Sequence, residues 1–246
     1  KLIVSRFERG QILQVDLSQA ELRIAAYLSN DHAFAAALLR GDMHRENAAR
    51  AFGISEDEVT DDQRFQAKAV IFRTIYGGRP ITDGQKRVYE YAKKAFPDLF
   101  RWMTKMQNNS ISSKFVTDTY GKTRNLHAVF DYRGKWAVGR AGINSPVQGV
   151  ASHAALEITL FAWNEMRNAQ SHVLFGVHDS TIADVHPQEE EYAIEVFKNA
   201  FVNLSDTPIG KFELFSVLPL TGDLQIGLNW AALKTAPVIK CSSKGA

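Results

Sequence analysis

Strand-forming sequence crowds the two ends of this chain, and the long middle reads as helix. Residues 11–15 are apolar-rich, short and preceded by Gly10, the signature of a buried strand. Residues 173–177 and 181–185 run apolar on either side of His178-Asp179-Ser180, which predicts a hairpin with the aspartate near its tip. Residues 212–218 and 223–226 are further strand candidates. Between these ends, residues 31–130 read as mostly helical, broken at Gly41, at Gly77 and at the Phe96-Pro97 step. A long amphipathic helix is predicted over 147–166, after the turn-rich GKTRN segment and Asn144-Ser145-Pro146, and another over 189–204. This order predicts an α+β fold, a sheet domain interrupted by a mostly helical one, with divisions at 1–28, 29–131 and 132–246.

The chain has 246 residues, enough for one large domain or two small ones, and is 45% hydrophobic and 23% charged, as in a soluble globular protein. A net charge of +2 is compatible with a polyanionic partner without implying one, because a local basic stripe matters more than the total. Cys241 is the single cysteine, which excludes an intrachain disulfide and a cysteine-based zinc site and favours a reducing compartment. No apolar run of about 18 residues and no secretory pattern occur, so a soluble chain is expected. Lys1 in place of an initiator Met reads as the mark of a chain cut from something longer, or processed.

Asp16 and Asp179 each end an apolar run and stand far apart in sequence. Paired carboxylates of this kind suit a two-metal phosphoryl-transfer site, since Mg²⁺ takes one or two carboxylates plus substrate phosphate oxygens. Arg64, Lys68, Phe72 and Tyr76 recur every fourth residue and are followed by Gly77-Gly78, so two cations, an aromatic ring and a phenol share one helix face. Steps of four drift by about 40° each, which makes an inclined ribbon along the helix. A plain solvated basic face with Phe72 and Tyr76 in the core would leave Tyr76-Gly77-Gly78 unexplained, whereas a closing helix benefits from a flexible end. Residues 60–62 supply its N-cap, and Ser18 with Glu21 has capping-box spacing for an earlier helix.

The segments DLSQAELR, R-x-x-x-K-x-x-x-F-x-x-x-Y-G and VHDS, in this order, resemble motifs A, B and C of the family A DNA polymerases. GDMH at Gly41, NSPVQG at Asn144 and GLNW at Gly227 are similar to further segments of that family. The resemblance implies a palm interrupted by fingers and template-directed addition of dNTPs to a primer on template DNA. It implies that Asp16 and Asp179 hold two Mg²⁺ ions, with Mn²⁺ as a substitute. Arg64, Lys68, Phe72, Tyr76, Gln19 and His44 would bind the nucleotide, and Glu21 would lie under the sugar and exclude a 2′-hydroxyl. Arg140, Asn144 and Gln148, at intervals of four, would enter the duplex minor groove, where donors reach acceptors that every base pair offers, and His178 would touch the primer terminus.

The match departs from the family at Ser180, where motif C has a glutamate. Single-subunit RNA polymerases carry His-Asp-Ser and share the Lys and Tyr-Gly pattern, so they are the competing reading; Glu21, GDMH and NSPVQG side with a DNA polymerase. A non-catalytic primer-template-binding subunit would also account for the lost acid, but it would not need both aspartates with Arg64 and Lys68. A hydrolytic triad of His178, Asp179 and Ser180 is set aside, because neighbours in a strand point to opposite faces. The resemblance also implies a thumb and an exonuclease domain upstream, expected on a separate chain or upstream segment, so that residues 1–246 alone should grip duplex weakly.

Overall fold

In the computed structural model, which describes residues 3–235 and 239–240, the chain enters strand β1 (Gln11–Ser18) and then helices α1 (Ala20–Ser29), α2 (His32–Leu39) and α3 (Met43–Phe52). Helices α4 (Asp61–Ile75), α5 (Asp83–Ala95) and α6 (Pro97–Ser113) follow, then a hairpin of β2 (Phe115–Thr117) and β3 (Thr123–Asn125). The long α7 (His127–Glu165) precedes β4 (His172–Val177), β5 (Ser180–Val185), α8 (Glu190–Asn203), β6 (Thr221–Gly227), β7 (Lys234–Thr235) and β8 (Ile239–Lys240). Lys1 and Cys241 lie outside the described residues. Two compact units result: Lys1–Ala20 with Val150–Ala246, and Glu21–Gly149.

The first unit carries an antiparallel sheet in the order β4-β5-β1-β6-β7, with β8 also on β6. Its central strand β1 alternates from Leu13 onward: Leu13, Val15 and Leu17 are buried while Gln14, Asp16 and Ser18 are half-exposed. Over this part of β1 one face is therefore core and the other polar. Phe197 and Phe201 of α8 are fully buried in this unit, and each such side chain contributes about 2 to 3 kcal/mol. A Cβ on Gly222 of β6 would enter the Phe201 ring, so only glycine allows that approach.

The second unit is helical. Ala48, Ala49, Val59, Ala67, Val70 and Val88 form a core shared by α3, α4 and α5. Buried Asp31 accepts from the backbone N–H of Phe34 at 2.8 Å, capping α2, and from that of Leu99 at 2.9 Å, tying α2 to the first turn of α6. Thr60 and Gln63 form the capping box that starts α4, within the stretch predicted to cap it. Asp42 of the GDMH break caps α3, Gly77 ends α4 with a φ of 67°, and Pro97 stands at the first turn of α6.

The α+β class is as the sequence predicts, and three local expectations are corrected. Residues 212–218 do not form a strand: they fold as short 3₁₀ turns, and their buried residues Leu214, Phe215 and Leu218 follow helical rather than alternating spacing. Ser18 does not cap α1. It is the last residue of β1, paired with Thr221, and its hydroxyl is buried without a hydrogen-bond partner among the described residues, while Gln19 at a φ of 51° turns the chain into the helix. The helix predicted from Val147 starts far earlier, at His127, is interrupted at Gly134 (φ 72°, ψ −177°), and runs through Pro146.

Candidate active site

In the sheet unit, Asp16 sits on the polar face of β1 with Ser180 of β5 opposite it on one side and Asp223 of β6 on the other. The two-residue loop His178-Asp179 joins β4 to β5, with His178 exposed and at a φ of 56°, so the aspartate is at the hairpin tip as predicted. The Leu17 N–H donates to the Asp179 carbonyl at 3.3 Å, which extends the β1–β5 pairing to the tip. Asp16 and Asp179 are thus brought together from opposite ends of the chain by strand pairing. The Ser180 hydroxyl donates to the Asp16 carboxylate, so the residue standing where the resemblance expects an acid is bonded to the other end of the site.

The half-exposed carboxylates of Asp16 on β1 and Asp179 at the β4–β5 turn offer the hard oxygen donors that Mg²⁺ or Mn²⁺ takes. Among the described residues no group of three or more His, Cys, Asp and Glu side chains forms a ready-made metal cage. That donor set fits an ion that completes its shell with nucleotide oxygens and water rather than an all-protein site.

The helical unit gathers a second set. Along α4, Arg64, Phe72 and the capping residue Tyr76 are half-buried and Lys68 is exposed, its Nζ 5.9 Å from the centre of the Phe72 ring. Arg64 Nε donates to Asp42 Oδ2 at 2.5 Å, and that bond raises the arginine's pKa. Partial burial pushes the Asp42 carboxyl up, but the Arg64 hydrogen bond and the Arg45 N–H outweigh it and hold the group below the usual range. His44 lies with its ring centre 6.0 Å from that of Phe72. Burial, reinforced by Arg64 and Lys68 and opposed by Asp42, lowers its pKa to about 4, so the imidazole is neutral at pH 7. Tyr76 donates its hydroxyl proton to Glu21, and its carbonyl accepts from Arg140 Nε at 3.2 Å.

Arg140, Asn144 and Gln148 line one groove of about 540 Å³ together with Arg124 and Arg133. Three guanidinium groups and two amides in one open channel make a surface suited to a phosphate backbone and base edges.

Comparison with known proteins identifies the family. The family model for DNA polymerase family A matches residues 1–232. The chain belongs to DNA polymerase family A. DNA polymerase I of Caldicellulosiruptor bescii is 27% identical over 244 residues, covering 92% of this chain and 27% of that protein. DNA polymerase I of Lactococcus lactis is 30% identical over 91% of the chain and 26% of the relative, and the DNA polymerase of Bacillus phage SP01 is 27% identical over 94% and 27%. The chain spans about a quarter of the length of these relatives. A solved structure, the POL domain of Pol1 from M. smegmatis in complex with DNA primer-template and dNTP, shares the fold, with a TM-score of 0.76 at 23% identity over 93% of this chain and 41% of that one. At the level of family, the match decides between DNA polymerases and single-subunit RNA polymerases.

For this family A member, sequence reasoning singled out residues that the fold distributes over both units. Asp16, Gln19, His178 and Asp179 belong to the sheet unit; Glu21, His44, Arg64, Lys68, Phe72, Tyr76, Arg140, Asn144 and Gln148 belong to the helical one. The expected cap between Ser18 and Glu21 is replaced by the Glu21–Tyr76 bond. Missed were Asp42, which holds Arg64, and Gln14, which donates to Ser180 at 3.3 Å. Gln14 left a signal: a polar residue in an apolar strand two positions before Asp16 must share its face.

Proposed function

We propose that this chain is the palm and fingers portion of a template-directed DNA polymerase, adding dNTPs to a primer 3′ end by two-metal phosphoryl transfer. The observation that carries the reading is the pairing of Asp16 with the Asp179-Ser180 turn across β1 and β5 in a family A chain. In this reading residues 1–28 and 132–246 serve as palm and 29–131 as fingers.

Asp16 and Asp179 would hold two Mg²⁺ ions, with Mn²⁺ as a substitute; when bound, such ions activate the primer hydroxyl and neutralise charge on the triphosphate and leaving pyrophosphate. Arg64 and Lys68, two cations one helical turn apart on α4, meet the phosphates, and Phe72 gives the nucleotide an aromatic face. Neutral His44 donates a hydrogen bond rather than a charge to that phosphate. Glu21, held by Tyr76, lies under the sugar and crowds a 2′-hydroxyl, while Gln19 contacts the incoming nucleotide. Arg140, Asn144 and Gln148 in the arginine-lined groove contact the template–primer duplex, and His178 the primer terminus. A thumb supplied by a separate chain or further segment would complete the grip on duplex DNA.

Replacing Asp179 by Asn tests the assignment. Extension should be lost while primer-template affinity stays within about twofold; residual turnover above about a hundredth of wild type contradicts the metal role.

A further inference from the structure

Three side chains that reach Asp16 in sequence form a chain of hydrogen bonds with a fixed direction. Trp230 Nε1 donates to Gln14 Oε1 at 2.6 Å, Gln14 Nε2 donates to Ser180 Oγ at 3.3 Å, and Ser180 Oγ donates to Asp16 Oδ1. An indole N–H can only donate. It therefore turns the Gln14 amide so that the oxygen faces Trp230 and the NH₂ faces Ser180. The serine oxygen is then occupied as an acceptor, and its one proton is directed to the aspartate. Gln14 and Asp16 alternate onto the same sheet face, and register sets Ser180 beside Asp16.

Ser180 and Trp230 are anchored from outside the relay. Ser180 is buried in the strand pair. The Trp230 ring meets Phe175 edge to face, centres 6.0 Å apart at 76°, and its backbone N–H donates to the Ile3 carbonyl at 3.1 Å. The bond at Asp16 Oδ1 leaves acceptor capacity on the carboxylate, which offers about four lone-pair sites.

We propose that Trp230 and Gln14 are positioning residues that act through Ser180 to fix the Asp16 carboxylate for the divalent ion. The proposal rests on the reading of Asp16 as a metal-holding residue. Outer partners of this kind orient a ligand before the ion arrives, and their loss typically weakens metal binding by about 10- to 100-fold. A purely structural network would instead stabilise the strand face and leave ion affinity alone.

The test is Mn²⁺ binding to the purified protein, read from the electron paramagnetic resonance signal of the free ion. Trp230→Phe, Gln14→Leu and Ser180→Ala should each raise the Mn²⁺ dissociation constant about tenfold. In the Ser180→Ala background, Trp230→Phe and Gln14→Leu should add nothing further, because the link to Asp16 is already cut. Wild-type affinity in Trp230→Phe and Gln14→Leu, or effects that multiply with Ser180→Ala, would overturn the proposal. Trp230→Phe keeps the ring against Phe175 and decides the matter if Gln14→Leu fails to fold. Asp16→Asn separates the two ideas: weakened Mn²⁺ binding there with no effect of Trp230 or Gln14 sinks the relay alone, while unchanged binding sinks the metal assignment and the relay with it.

Discussion

The Tyr76 hydroxyl donates a hydrogen bond to the Glu21 carboxylate, linking the C-terminal cap of α4 to the first turn of α1. A carboxylate held at one place can crowd a sugar; one free to swing cannot. Glu21→Ala should raise the ratio of ribonucleotide to deoxynucleotide kcat/KM by about 100-fold, and Tyr76→Phe, which keeps the ring and removes the donor, by a smaller factor. An unchanged sugar preference in Glu21→Ala would refute the gate.

Arg64 is bonded to Asp42, and in the proposed role a triphosphate would have to draw it away. Asp42→Asn retains an oxygen to cap α3 but removes the competing charge. The KM for dNTP should therefore fall by roughly two- to fivefold. A rise in KM would mean that Asp42 aims Arg64 rather than restrains it.

His44 has a pKa of about 4 in the fold and about 6.5 in the unfolded chain. Between those values the unfolded state binds more protons, so stability rises with pH through that window and is flat above it. Urea unfolding at pH 5 and pH 7 should differ by on the order of 1 to 2 kcal/mol from this residue, and His44→Phe should remove that part. An equal pH dependence in the variant would contradict the burial argument.

Gly77 has a φ of 67°, and a Cβ there would lie 2.9 Å from Arg140 Cγ and 3.1 Å from Arg140 Cα. Gly77→Ala should lower stability by about 1 to 3 kcal/mol in chemical denaturation. A loss below about 0.5 kcal/mol would show that the end of α4 shifts freely.

What could be read in the sequence was set by local rules. The strands at Asp16 and around Asp179, the capping of α4 and the breaks at Gly41, Gly77 and Pro97 follow from alternation, caps and turn residues, and the structure has them. Residues 212–218 resemble a strand by apolar content alone, but the spacing of Leu214, Phe215 and Leu218 is helical. The sequence starts helix α7 only after Pro146, because a proline inside a helix reads as a boundary, whereas tertiary context carries the helix through it. Long-range partners left weaker traces. That Ser180 bonds to Asp16 depends on strand register, and that Asp42 meets Arg64 depends on how α3 and α4 pack; neither is encoded by nearby residues.

Primer extension tests the central claim most directly, with Mg²⁺, a DNA template, and dNTPs and NTPs run side by side, both alone and with a candidate thumb-bearing partner. The account predicts extension with dNTPs, abolished by Asp16→Asn and by Asp179→Asn. Extension with NTPs instead, or none under any condition, would contradict it; the second outcome would leave a primer-template-binding subunit as the better description.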